Sequence, residues 1–261
     1  MTRLRYENVL IDLAGVLYDG DAAIPGAVDA LARLRAAGCG ICFVTNTTRR
    51  TRAALVERLI ALGFDMAATE ILTAARAAHD LVAREDLTPC LLIHPDLAPE
   101  FEDMPAGEPD AVVVGDAGDA FTYAHLNRAF RVLMASDSPR LIAMGDNRYF
   151  ADEDGALSLD MGPFVHALAH AAGIEPEVVG KPAAPFFEAA LHQLGATPDE
   201  AVMIGDDLAG DVGGARDAGL AGILVRTGKF RAEDERDPDI RPTHVADDFA
   251  AAVAWILGEE T

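Results

Sequence analysis

Lysine is almost missing from this chain. Only Lys181 and Lys229 occur among 261 residues, so the position of each carries information. Cysteine is equally scarce, at Cys39, Cys42 and Cys90. Cys39 and Cys42 have the spacing of a metal or redox pair, but no second pair completes a zinc site. They read as small apolar residues entering a buried strand. No apolar run approaches the ~18 residues that a membrane-spanning helix needs. The opening residues, Met1 to Tyr6, carry no apolar segment of the signal-peptide kind, so a cytoplasmic protein is expected. Positive charge is also in deficit: 21 Lys and Arg stand against 43 Asp and Glu, for a net charge of −22. Such a surface repels nucleic acid and anionic membranes, and neither is expected as a partner. It repels phosphate esters as well, so any phosphate site needs local positive charge.

What the chain has in quantity is apolar sequence, 51% of residues, enough to bury a core. Val9-Leu10-Ile11 and Ile41-Cys42-Phe43-Val44 are short apolar runs of the kind found in strands buried on both faces. Helical patterns follow each, over Pro25 to Ala37 and over Arg49 to Leu62. Short links between them imply parallel pairing. The last third repeats this grammar. A helix over Ala184 to Leu194 precedes the strand Ala201 to Ile204, a helix around Val212 to Ala218 and the strand Gly222 to Val225. An amphipathic tail runs from Asp248 to Leu257. Between the two blocks lie three more strand-like runs, at 91–93, 111–114 and 141–144, and a helix over Tyr123 to Met134. The fold class predicted is α/β, with a Rossmann-like parallel-sheet core in residues 1–75 and 178–261. Residues 76–177 are an inserted α/β domain with a core of its own, in which 99–109 is read as a loop.

Four polar segments fall at the C-terminal ends of predicted strands, the edge of an open α/β sheet where ligands bind. Asp12 leads a tight turn, Asp12-Leu13-Ala14-Gly15; an acid there also serves as a turn or helix-cap residue. Thr45-Asn46-Thr47-Thr48 offers hydroxyls and an amide ahead of a helix, suited to a phosphate oxygen or to capping. Gly180-Lys181-Pro182 puts one of the two lysines at a strand end, with Pro182 expected in the first turn of the next helix. Gly205-Asp206-Asp207-Leu208-Ala209-Gly210-Asp211 gathers three carboxylates in six residues. They repel one another unless a cation compensates, and oxygen ligands favour Mg²⁺ over zinc.

With these residues in this order, the sequence resembles the haloacid dehalogenase superfamily of phosphatases, in the subclass with a large α/β cap inserted between the second and third motifs. Further similar stretches are Asp116 to Phe121 (DAGDAF), Val178 to Pro182 (VVGKP) and Val202 to Phe230 (VMIGDDLAGDVGGARDAGLAGILVRTGKF). The resemblance implies that Asp12 is a nucleophile that carries the phosphoryl group covalently. It implies Mg²⁺ held by Asp12, the backbone carbonyl of Ala14, Asp206 and Asp211, with Asp207 orienting ligands or water. Leu13, Ala14, Thr45, Asn46, Thr47 and Lys181 would meet the phosphoryl group of a small phosphorylated substrate. The turn Gly145-Asp146-Asn147-Arg148-Tyr149 would choose the substrate, with Asp146, Asn147 and Arg148 as its contacts and Met161 to Phe164 as a neighbouring wall. Dimers formed through the cap are common in that subclass, so a homodimer is expected. One departure stands out: most members carry a second aspartate two residues after the nucleophile as general acid and base, and here Ala14 can do neither. That predicts slow hydrolysis of alkyl phosphates and a preference for P–N or P–O–P bonds, whose leaving groups need less help. His94, His125, His166 and His170 show no metal spacing and read as structural.

Overall fold

A computed structural model describes residues 4–151 and 156–259. By the contacts among its Cα atoms the chain separates into two compact units. The first runs to Thr45 and takes in Ala53–Leu72 and everything from Lys181 onward; the second comprises Asn46–Arg52 and Thr73–Gly180.

The first unit is built on a six-stranded sheet in the order His244–Ala246, Ala221–Val225, Ala201–Gly205, Asn8–Asp12, Gly40–Thr45, Ile71–Thr73. The strand Asn8–Asp12 pairs in parallel with Ala201–Gly205 on one side and Gly40–Thr45 on the other. Its position explains its composition, because Val9, Leu10 and Ile11 are fully buried and a strand covered on both faces cannot alternate apolar with polar. Val9, Ile11, Phe43, Ile204 and Ile223 share one cluster with Leu31 and Leu34 of the helix Ala27–Ala36 and with Phe249 and Val253 of the helix Phe249–Ile256.

The second unit has its own parallel sheet, in the order Glu177–Val178, Arg140–Ala143, Ala111–Val114, Pro89–Leu92. The helices Ala74–Arg84, Tyr123–Ala135 and Gly162–Ala172 bury Ala78, Val82, Ala129, Leu133 and Val165 in one cluster with it. Side chains cap two of these helices: the Thr73 hydroxyl accepts from Arg76 N–H at 3.0 Å and the Thr122 hydroxyl from His125 N–H at 3.2 Å. An antiparallel ribbon, Tyr149–Ala151 with Leu157–Leu159, lies outside the sheet.

Several expectations shift. The strands Ile71–Thr73 and His244–Ala246 are three residues long, too short to stand out as apolar runs. The stretch expected as a loop over 99–109 begins inside a helical turn, Pro95–Phe101, which buries Leu97 and Phe101. The helix after the acidic run opens with a wide turn over Leu208–Gly213, capped by Asp207, which accepts from Gly210 N–H at 2.9 Å. Pro182 is not in a first helical turn. The helix starts at Ala184 with Pro185 in that role, and the Lys181–Pro182 peptide is cis. Among the described residues no helix is long and apolar enough to cross a membrane.

Phe43 is fully buried in the first unit's sheet. Phe43→Ala is expected to lower the unfolding free energy by about 3–5 kcal/mol. Urea melts followed by circular dichroism check this, and a loss below ~1 kcal/mol would mean that the core does not rest on that ring.

Candidate active site

Strand register brings the first unit's polar residues together. Ile11 stands opposite Ile204, and Asp12 opposite Val44. The residues just past these pairs are therefore Asp12, Thr45 and Gly205-Asp206, which leave adjacent strands at one edge. Asp12, Asp206 and Asp211 are 7%, 2% and 1% exposed, and Lys181 is 6% exposed. Lys181 Nζ donates to Asp12 Oδ1 and to Asp211 Oδ1, each at 2.6 Å. One carboxylate oxygen from each of Asp12, Asp206 and Asp211 lies within 4.8 Å of the others.

Three buried carboxylates and one ammonium leave an excess of negative charge, and the acids register it. Burial, with the Asp12 charge adding to it, pushes Asp206 up to about 7. Asp211 is pushed up to about 6, by burial first, and Lys181 only partly offsets this. The Lys181 ammonium resists the cost of its own burial because Asp12 and Asp211 flank it, and its pKa is raised. An all-oxygen donor set that repels itself fits a hard divalent cation such as Mg²⁺ and does not fit zinc, which prefers nitrogen and sulfur.

Two glycines make room for this cluster. Gly15 and Gly228 have φ of +82° and +59°, a region that side chains rarely adopt. A Cβ at either one would collide with the Asp206 carboxylate. Asp206 Oδ2 in turn accepts from Lys229 N–H at 2.7 Å, and the Thr227 hydroxyl donates to the Gly15 carbonyl. Lys229, which had no expected role, thus belongs to the site. Its Nζ donates to Asp207 Oδ2 at 3.2 Å. Although burial pulls the other way, Lys229 and the Gly210 N–H hold Asp207 below its ordinary pKa. The signal was available, since Lys229 is the second of two lysines and follows a predicted strand by four residues.

The remaining candidates divide between the units. Thr45 is buried at its strand end, Leu13 is fully buried beneath the turn, and Ala14 is exposed. Asn46 and Thr47 group with the second unit. So do Asp146, Asn147 and Arg148, all exposed. There Asp146 pairs with His166 at 2.8 Å, and Asp146 and Arg148 line a cavity of about 490 Å³ with Tyr149, Leu159 and Pro163. Of the expected wall, Met161 is buried in the second unit's core and also lines a second cavity, Gly162 and Pro163 line the cavity beside Arg148, and Phe164 stacks on Phe121 at 3.8 Å. All three cysteines are free, and burial pushes the Cys42 thiol up to about 12, which leaves it inert.

Comparison with known proteins now bears on this site. Residues 9–104 match the family described as Haloacid dehalogenase-like hydrolase, and residues 178–252 match the HAD-hydrolase-like family. The chain is 44% identical over 254 residues to phospholysine phosphohistidine inorganic pyrophosphate phosphatase of Homo sapiens, covering 96% of this chain and 94% of that one. Among solved structures, p-nitrophenyl phosphatase from Archaeoglobus fulgidus superposes with a TM-score of 0.88 at 27% identity, over 96% of this chain and 99% of that chain. Glycerol phosphate phosphatase from Mycobacterium tuberculosis in complex with magnesium does so with a TM-score of 0.80 at 29% identity, over 95% and 76%.

The raised pKa of Asp206 makes a stability prediction for the metal-free protein. A carboxyl that binds its proton more tightly folded than unfolded costs stability as pH rises from ~4 to about 7, and the cost is constant above that. Asp206→Asn is therefore expected to melt higher than the parent at pH 8 in chelator, by on the order of a few kcal/mol. That gain should vanish near pH ~4. Scanning calorimetry at both pH values checks it; no gain at pH 8 would contradict the buried repulsion.

Proposed function

The chain belongs to the haloacid dehalogenase-like hydrolases and is a phosphatase, and from that premise we propose that it is Mg²⁺-dependent and works through an aspartyl-phosphate on Asp12. The observation that carries this reading is the meeting of Asp12, Lys181, Asp206 and Asp211 at one sheet edge, with Lys181 Nζ 2.6 Å from both Asp12 and Asp211. Asp12, Asp206, Asp211 and the Ala14 carbonyl would hold the metal, which when bound supplies the positive charge that lets a carboxylate approach an anionic phosphoryl group.

In the first step an Asp12 oxygen attacks phosphorus, the bond to the leaving group breaks, and its electron pair departs with that group. In the second step water attacks the same phosphorus, the bond to Asp12 breaks, and inorganic phosphate leaves. Lys181 and Thr45, with Asn46 and Thr47, hold the phosphoryl oxygens as charge shifts between them. Asp207, kept ionised by Lys229, orients the acids beside it. Asp146, Asn147 and Arg148 in the second unit choose the substrate.

Ala14 sets the substrate class. It is exposed and has no group to protonate a departing alkoxide. A phosphoramidate nitrogen can be protonated from solvent before cleavage, and pyrophosphate leaves as a stabilised anion. P–N and P–O–P substrates are therefore the proposed class, in keeping with the name borne by the human relative.

With Mg²⁺ present, kcat/KM should be higher for phosphohistidine, phospholysine or pyrophosphate than for a simple alkyl phosphate, and phosphate release should cease on chelation and in Asp12→Asn. A preference for the alkyl ester overturns the substrate class, and undiminished release by Asp12→Asn overturns the mechanism. Ala14→Asp should raise kcat on the alkyl phosphate by about 10²-fold or more, since general acid–base help is worth roughly 10²–10⁴-fold; an unchanged kcat would mean that the missing acid is not what limits that substrate.

A further inference from the structure

The stretch Asp116–Phe121 has no part in the chemistry above, yet Asp116 is only 6% exposed, where a carboxylate needs partners to keep its charge. Arg49 Nε donates to its Oδ2, and Gly118 N–H donates to its Oδ1 at 3.0 Å. The Asp116 backbone N–H donates to the Thr48 hydroxyl at 3.1 Å. The Arg49 guanidinium also lies 4.7 Å from the centroid of the Phe150 ring.

Thr48 and Arg49 belong to the segment Asn46–Arg52, which directly follows Thr45 in the chain but groups with the second unit. Two more contacts pin it there. Arg52 N–H donates to Glu100 Oε1 at 2.6 Å. Gly180, the residue before Lys181, packs so closely that a Cβ would stand 2.8 Å from Asn46 Oδ1. The segment carrying Asn46 and Thr47 is thus held by contacts within the second unit. A cavity of about 250 Å³ in that unit is lined by Asn46, Thr47, Thr48, Arg49, Asp116 and Asp160, so the loop borders open space.

We propose that Asp116, through Arg49 and Thr48, is a positioning residue that sets the conformation of Asn46 and Thr47 for holding the phosphoryl group. This rests on the phosphatase reading above. A stabilising ion pair is the simpler alternative, since the Asp116 side chain is 9% exposed beside an Arg49 side chain that is 44% exposed, and a readout that a purely structural pair would not move separates the two.

The test is a double-mutant cycle of Asp116→Asn and Arg49→Met, measured well below the melting temperature of each variant. Each single change should lower kcat/KM by about 10²-fold, the size of effect that a misplacement of roughly 1 Å produces. The inhibition constant of inorganic phosphate should weaken in step, and the double variant should be no worse than the weaker single. Thr48→Val, which removes only a hydroxyl, should lose about 10-fold and stands in if either variant does not fold. Wild-type kcat/KM in the singles, losses that multiply in the double, or an unchanged phosphate inhibition constant would each overturn the proposal. If the parent releases no phosphate, the enzyme reading falls, and calorimetric binding of inorganic phosphate to the same variants decides the positioning role alone.

Discussion

A buried ammonium held between two carboxylates is the contact on which the rest of the site depends. Lys181 is 6% exposed with Asp12 and Asp211 each 2.6 Å from its Nζ. Desolvating these groups is costly, and only their close mutual approach offsets it. Removing one partner would leave an uncompensated charge in a nearly dry place, so the three side chains stand or fall together. Asp206 completes the set and tips the balance. One positive and three negative groups cannot all stay ionised without further positive charge, which is why Asp206 and Asp211 hold protons to unusually high pH. A divalent cation at this point would relieve the imbalance.

The parallel sheet produces this meeting. Asp12, Thr45 and Asp206 are far apart in sequence, but each stands at or just past the last residue of a strand in one sheet, and the register places those ends side by side. A one-residue slip in any of the three strands would turn its terminal side chain to the opposite face. Gly15 and Gly228 then let two loops close over Asp206 without a side chain in the way. Packing of the apolar strands and placement of the acids are thus one event, and the core needs no adjustment to accommodate the site.

The second unit does more than follow the first in the chain. It takes in Asn46–Arg52, so the chain passes between units four times, and two of those passages, Thr45/Asn46 and Gly180/Lys181, fall beside residues of the proposed phosphate site. Whatever fixes Asn46–Arg52 within the second unit also fixes the residues that follow Thr45.

The α/β class, the central strands, and Asp12, Thr45 and the acidic run are legible in the sequence because each follows directly from an apolar run, and strand ends in such sheets are where ligands meet. Lys181 stands out by rarity, but the strand before it, Glu177–Val178, pairs into the second unit's sheet and not into the core that is expected to begin at 178. Ala14 was legible too, since a missing carboxyl needs no fold to be noticed. The three-residue edge strands were not, because so short a run has no periodicity. Rarity marks Lys229 in the sequence, but its role comes from a contact with Asp207, 22 residues away, that only the tertiary fold creates. The membership of Asn46–Arg52 could not be read at all. Local pattern predicts a helix from Arg49, whereas the helix begins at Arg52 and Arg49 pairs with Asp116, 67 residues on. Sequence determined which groups were available and which strand each would follow. Tertiary structure decided which of them share a charge, because electrostatic partnership depends on distance in space and burial, and neither is written in the order of residues.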